Sequence, residues 1–136
     1  MSKSSFGGRR PKYSFFLNPY QDVRFTRCPK CQRPTNLRKF ALLIHIEGFG
    51  LIVLGKTSRF CGPCELIVVH QNELEPEIAR VASDTIPNQS NQYFVVGTLP
   101  LSTWKSALQN RFDIETVRHL SSDFKKQLRF RPASDT

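Results

Sequence analysis

The chain has 136 residues, 39% of them hydrophobic and 23% charged, which is long enough to bury a core and too balanced for a disordered or fibrous segment. Its most apolar stretch, Phe40 to Leu54, carries His45 and Glu47 and falls short of the roughly 20 uninterrupted apolar residues of a bilayer span, so no membrane role is expected. Charge is divided unevenly: residues 1–64 hold 12 Lys and Arg against Asp22 and Glu47, a net +10, whereas residues 65–136 hold 8 against 9 Asp and Glu, a net −1. A basic half of this kind suits a polyanionic partner.

Residues 1–20 read as a basic, flexible arm, because Lys3, Arg9, Arg10 and Lys12 stand among glycines, serines and Pro11 with little to bury before the cluster Phe15, Phe16, Leu17 and Tyr20. The arm lacks the continuous apolar core of a secretory signal, which implies a cytoplasmic location. Val23 to Arg27 is expected to form a short strand. Phe40, Leu42, Ile44 and Ile46 then alternate with Ala41, Leu43, His45 and Glu47, the period of a strand. Gly48 to Gly50 turns the chain, and Leu51 to Leu54 returns toward Thr57, completing a hairpin. Both faces are apolar near the turn, so each needs a cover, supplied by the C-terminal half, a protein partner or a second copy of the chain.

Glu65 to His70 suggests a third strand. Asn72 is placed to cap a helix reaching about Ser83, with Glu75 in capping-box position, Pro76 in the first turn and Leu74, Ile78 and Val81 along one face. Residues 84–91 read as a loop and Tyr93 to Thr98 as a fourth strand. Ser102 is placed to cap a short helix bearing Trp104 as an anchor and Leu108. A last helix is expected from Asp113, since Ile114, Val117, Leu120, Phe124 and Leu128 fall at helical spacing.

The four cysteines fall in two C-x₂-C pairs, Cys28/Cys31 and Cys61/Cys64, with residues 32–60 and the hairpin between them. A two-residue spacer lets a tight turn aim both sulfurs at one ion, and a hairpin brings the distant pairs together. In a reducing compartment such cysteines serve as metal ligands or redox thiols rather than disulfides. Zinc is the favoured ion, ahead of an iron–sulfur cluster, and four thiolates leave no corner for water, so the site is structural.

Cys28-Pro29-Lys30-Cys31 together with the second pair resembles the zinc ribbon over about residues 21–70, although Gln32 and Glu65 follow the pairs where that family commonly has glycine. The resemblance implies a zinc-ribbon antiparallel β-sheet (21–70); with the elements read on either side of it, the chain is expected to be an α+β protein in which the arm (1–20) precedes the ribbon and an α/β segment of no named family (71–136) packs on it. Cys61-Gly62-Pro63-Cys64 is also similar to the active-site tetrapeptide of thioredoxins. A strand-forming run after Cys64 and only 22 residues before Pro87 argue against that dithiol oxidoreductase.

Arg24, Arg27, Lys30, Arg33, Arg38 and Lys39 surround the first pair, Lys56 and Arg59 approach the second, and Arg9, Arg10 and Lys12 extend the set into the arm. They form the expected contact surface for DNA or RNA, with Phe25, Phe40 and Phe60 more readily core than stacking platforms. His45, His70 and His119 read as structural or surface residues. No nucleophile–base set or phosphate-cradling loop is evident, so the expectation is a non-enzymatic nucleic-acid-binding protein, or else an adaptor or complex subunit.

Overall fold

The computed structural model describes residues 7–48, 50–82, 92–102 and 114–130. Its elements in chain order are β1 (Ser14–Asn18), β2 (Asn36–Ile46), β3 (Gly50–Cys61), β4 (Leu66–His70), α1 (Gln71–Ala82), β5 (Tyr93–Leu99), α2 (Ile114–Leu120), β6 (Ser122–Asp123) and β7 (Gln127–Leu128). The architecture is mostly β: one seven-stranded sheet, strongly curled into a half-barrel, in the order β6-β5-β2-β3-β4-β1-β7. The sheet is mixed rather than the antiparallel ribbon expected, because β1 runs parallel to both β4 and β7.

The hairpin is the longest element pair, in register from Ile46↔Gly50 to Asn36↔Phe60. Gly48 (φ 83°) and Gly50 (φ 119°) hold its turn in conformations that side chains resist. Since successive side chains alternate, Phe40, Leu42, Ile44 and Ile46 share one face. There they join Phe15, Ile67, Val69, Phe124 and, from α1, Leu74 and Ile78 in the main core. Ala41 and Leu43 face the other way and are covered by Leu99 and by Val117 of α2. A third cluster lies beside the cysteines and contains Phe16, Phe25, Leu66 and Val68.

Strand β1 lies inside the stretch assigned to the arm. Phe15 and Phe16 point to opposite faces and are each only 1% exposed, pairing in register with Ile67 and Val68. A strand buried on both faces shows a short continuous apolar run with no alternation to reveal it. Val23 to Arg27 is not a strand; only Arg27 bridges, to Pro34.

The last helix stops at Leu120, so Phe124 and Leu128 are not helical. Ser121 is fully buried and its hydroxyl donates back to the Arg118 carbonyl, a local bond that competes with helix continuation. Burial of Phe124 against Phe15, with rings stacked at 4.6 Å, then outweighs helical spacing. The expected loop at 84–91 and the Trp104/Leu108 helix lie outside the described residues.

The segment after α2 joins the two margins of the sheet. Strand β6 pairs with β5 and β7 with β1, and between them Phe124 N–H donates to Val96 O (3.1 Å) while Lys125 N–H donates to Tyr13 O (2.7 Å). Gln127 reaches back with its side-chain amide to Val95 O (2.9 Å). The approach at β5 is so close that a Cβ on Gly97 would fall 1.9 Å from Ser122 O, which only glycine avoids. At the opposite end, buried Asn18 donates to Val23 O and contacts His70 Nε2, and His70 Nδ1 meets Asn72 Oδ1. Asn72 is thus engaged with the strand that precedes the helix, and no buried side-chain polar atom among the described residues lacks a partner.

Candidate metal centre

The two cysteine pairs occupy two tight turns. Cys61 ends β3 and Cys64 precedes β4, while Cys28 and Cys31 sit on a loop stitched by Cys28 N–H to Arg33 O (2.7 Å), Gln32 N–H to Cys28 O (2.8 Å) and Thr35 N–H to Thr26 O (2.8 Å). Thr35 adds its hydroxyl to Phe25 O (2.9 Å). The hairpin does what the spacing predicts and carries the second turn onto the first.

All four sulfurs lie within 4.8 Å of one another, with Cys31 Sγ 3.5 Å from Cys61 Sγ and Cys28 Sγ 3.9 Å from Cys64 Sγ. A tetrahedral Zn–S₄ group with bonds of about 2.3 Å needs sulfurs about 3.8 Å apart. None of the four is in a disulfide. The group is therefore suited to holding a metal ion such as zinc.

Comparison with protein families, curated proteins and solved structures returned no match. The metal reading accordingly rests on the geometry of this chain.

Electrostatics within the cluster point the same way. The Arg33 amide, donating to the sulfur, does most to hold the Cys31 thiol down at about 7. Burial raises Cys61, against an opposing hydrogen bond from the Cys64 amide, and raises Cys64 to about 12. A divalent ion replaces the protons that burial would otherwise retain, so loading releases protons. Lys30 N–H also points at Cys28 Sγ (3.3 Å).

Gln32 (φ 68°) and Glu65 (φ 51°), each immediately following a cysteine pair, take the left-handed conformation that glycine would adopt without strain. The two turns thus share one backbone device despite their different sequences. Replacing Gln32 by glycine is expected to raise stability by about 0.5–1 kcal/mol, the left-handed cost of an ordinary residue less the extra entropy of glycine. Gln32→Ala should give no such gain. The denaturant midpoint at unchanged m-value measures the difference, and a destabilised Gln32→Gly would show that the turn carries no strain.

The predicted cations fall into two groups. Arg24 and Lys56 both reach Glu73 at the start of α1, and Lys56 also approaches Glu77 (3.9 Å). Their charge is spent within the fold, and the Arg24 guanidinium, chiefly, holds the Glu73 carboxyl below its ordinary value. Arg9, Arg10, Lys12, Arg27, Lys30, Arg33, Arg38 and Arg59 have no carboxylate partner among the described residues. Of these, Arg27 donates to Gln32 O (3.3 Å) and Arg59 to Thr35 O (3.4 Å), which places both guanidiniums against the first cysteine turn. Lys39 is exposed on β2 beside Arg38.

Phe25 and Phe40 are core residues, 9% and 5% exposed, and Phe60 is partly buried. His45 and His119 are exposed, away from the sulfurs. The apolar hairpin is mostly covered from within the chain: Phe40 to Ile44 and Ile46 are buried. The large apolar residues that remain exposed are Leu37 (63%) and Phe94 (54%) among the described residues.

Proposed function

We propose that the protein is a non-catalytic, zinc-stabilised nucleic-acid-binding or accessory protein, with turns of zinc-ribbon type presenting a basic face. The observation that carries this reading is the set of cations left without carboxylates beside the metal turns, in a chain that elsewhere pairs Arg24, Lys56 and Lys125 with acids. Uncompensated like charges repel one another and weaken the compact state, so their retention suits an external anion. With four thiolates around a divalent ion the centre itself carries −2, which leaves residues 1–64 near +8.

Binding of short DNA and RNA strands, followed by fluorescence anisotropy against salt, tests the proposal. Affinity should fall steeply as salt rises, by roughly 0.7 in log K per log salt for each single-strand phosphate contacted. Replacing Arg27, Lys30 and Arg33 together by glutamine should reduce that slope by about 2. No binding to either nucleic acid at low salt overturns the reading.

Exposed Leu37 and Phe94 favour a second reading, an adaptor that docks a protein partner. Nuclease-resistant recovery of a stoichiometric protein complex, lost on Phe94→Ser, would select it.

A further inference from the structure

We infer that a cleft between the N-terminal segment and β2 is a phosphate-binding site additional to the cations beside the cysteine turns, and that it takes the backbone of a single nucleic-acid strand; the inference rests on the nucleic-acid reading above. The cleft has a volume of about 360 Å³ and is lined by Arg9, Lys12 and Tyr13 of the N-terminal segment and by Arg38, Lys39 and Phe40 of β2, with the end of β5 and the residues just after it completing the wall. Among the described residues no carboxylate lines it. Four cations around one concavity raise the local concentration of anions more than the same charges spread over a convex face.

Two of these cations are held at the side chain and a third at its backbone. Arg38 lies over the rings of Phe40 and Phe60, at 5.0 and 5.2 Å from their centroids, and Lys12 lies over Tyr13 at 5.3 Å. Tyr13, Phe40 and Phe60 pack edge to face against one another at 5.3–5.6 Å, so the platform beneath the charges is itself part of the core. Arg9 is fixed through its backbone, with its amide donating to Ser121 O (3.0 Å) and a bridge to Ser122. Ordering these side chains before the ligand arrives lowers the entropy lost on binding.

The same rings decide what is recognised. Phe40 is 5% exposed, and the partly buried Tyr13 and Phe60 carry Lys12 and Arg38 over their rings, so these aromatic faces are engaged with cations rather than offered to a base. The cleft therefore contacts phosphates and leaves bases unread, and its concavity admits one strand in preference to a duplex.

The test compares the zinc-loaded wild-type chain with Lys12→Gln/Arg38→Gln and with a charge-matched control, Lys126→Gln/Arg129→Gln, using 12-nucleotide oligo(dT), oligo(rA) and a duplex of equal length. The cleft variant should bind both single strands roughly 10- to 30-fold more weakly at 0.1 M salt, with a salt slope reduced by about 1.4, the value for two single-strand contacts. The control should stay within about twofold, and Lys12→Arg/Arg38→Lys, which keeps both charges but gives up the stacked guanidinium, should recover the salt slope and only part of the affinity. Equal loss in the cleft variant and control, or tighter binding to the duplex, overturns the inference. So does binding of inorganic pyrophosphate at the cleft without binding of the oligonucleotides. Wild-type affinity that survives in the cleft variant overturns the cleft alone, whereas a wild-type chain that binds no nucleic acid at low salt overturns the underlying functional reading as well. Equal zinc content and melting temperature across the variants show that folding is not what changed.

Discussion

Cys61→Ser is expected to cost the chain its metal and roughly 5 kcal/mol or more of stability, a fall in Tm of roughly 15–25 °C at this length. Cys61 is fully buried at the end of β3 and belongs to the same cluster as Phe16, Phe25, Leu66 and Val68. Serine preserves its shape but not a soft thiolate, so the ion loses one corner of its tetrahedron. Structural zinc contributes on the order of 10–16 kcal/mol of apparent binding energy, comparable to the whole stability of an ordinary domain. Bound at this cluster, such an ion would offset the strained backbone at Gln32 and Glu65 and the burial of Cys28 and Cys61.

The loss should be graded through the molecule. The main core around Leu42, Ile44, Ile52 and Leu74 contains no cysteine, so amide protection there should outlast that of residues 28–35 and 61–66. Chelation of the wild-type chain should reproduce this pattern. Because Cys61 and Cys64 both lie above the ordinary thiol value without metal, at least two protons must leave on loading near neutrality. Affinity should then fall by at least roughly a hundredfold per unit of acidification near pH 7. Metal analysis and competition with a chromophoric chelator measure both effects. Retention of about one equivalent of zinc by Cys61→Ser, or a Tm shift of only a few degrees, would show that the sulfurs do not share an ion.

The four-cysteine cluster was legible because its chemistry is local: each C-x₂-C pair makes its own turn, and the alternating run from Phe40 to Ile46 announces the hairpin that joins them. The oddity of Gln32 and Glu65, where zinc ribbons commonly carry glycine, was visible as well, and the structure gives it meaning in their positive φ. What stayed hidden depends on distant partners. Strand β1 shows no alternation because Phe15 and Phe16 are buried on opposite faces. The two-residue strands β6 and β7 have no pattern of their own and exist because the sheet curls far enough for one segment to reach both margins. Likewise, Arg24 reads as a free cation until Glu73, 49 residues away, arrives beside it.

Phe124→Ala should be the most damaging substitution remote from the metal, costing about 3–5 kcal/mol. Phe124 is 9% exposed and stacks on Phe15 at 4.6 Å with an interplanar angle of 18°. It occupies the middle of the only described segment that bonds to both β5 and β1, so the cavity left by its ring opens beneath the closure itself. The consequence differs from that of losing zinc. Amide protection should fall first at Phe15 and Phe124, whose N–H groups donate to Lys126 O and Val96 O, while the metal content stays near one equivalent because the main core holds no ligand. Phe130→Ala is the control: Phe130 packs edge-on against Phe16 at 5.1 Å but is only partly buried, and its removal should cost less than half as much. Phe124→Leu, which refills most of the volume, should recover a large part of the loss. A Phe124→Ala variant destabilised by less than about 1 kcal/mol would mean that curling of the sheet is held by the strands alone, and that the segment joining its margins merely follows.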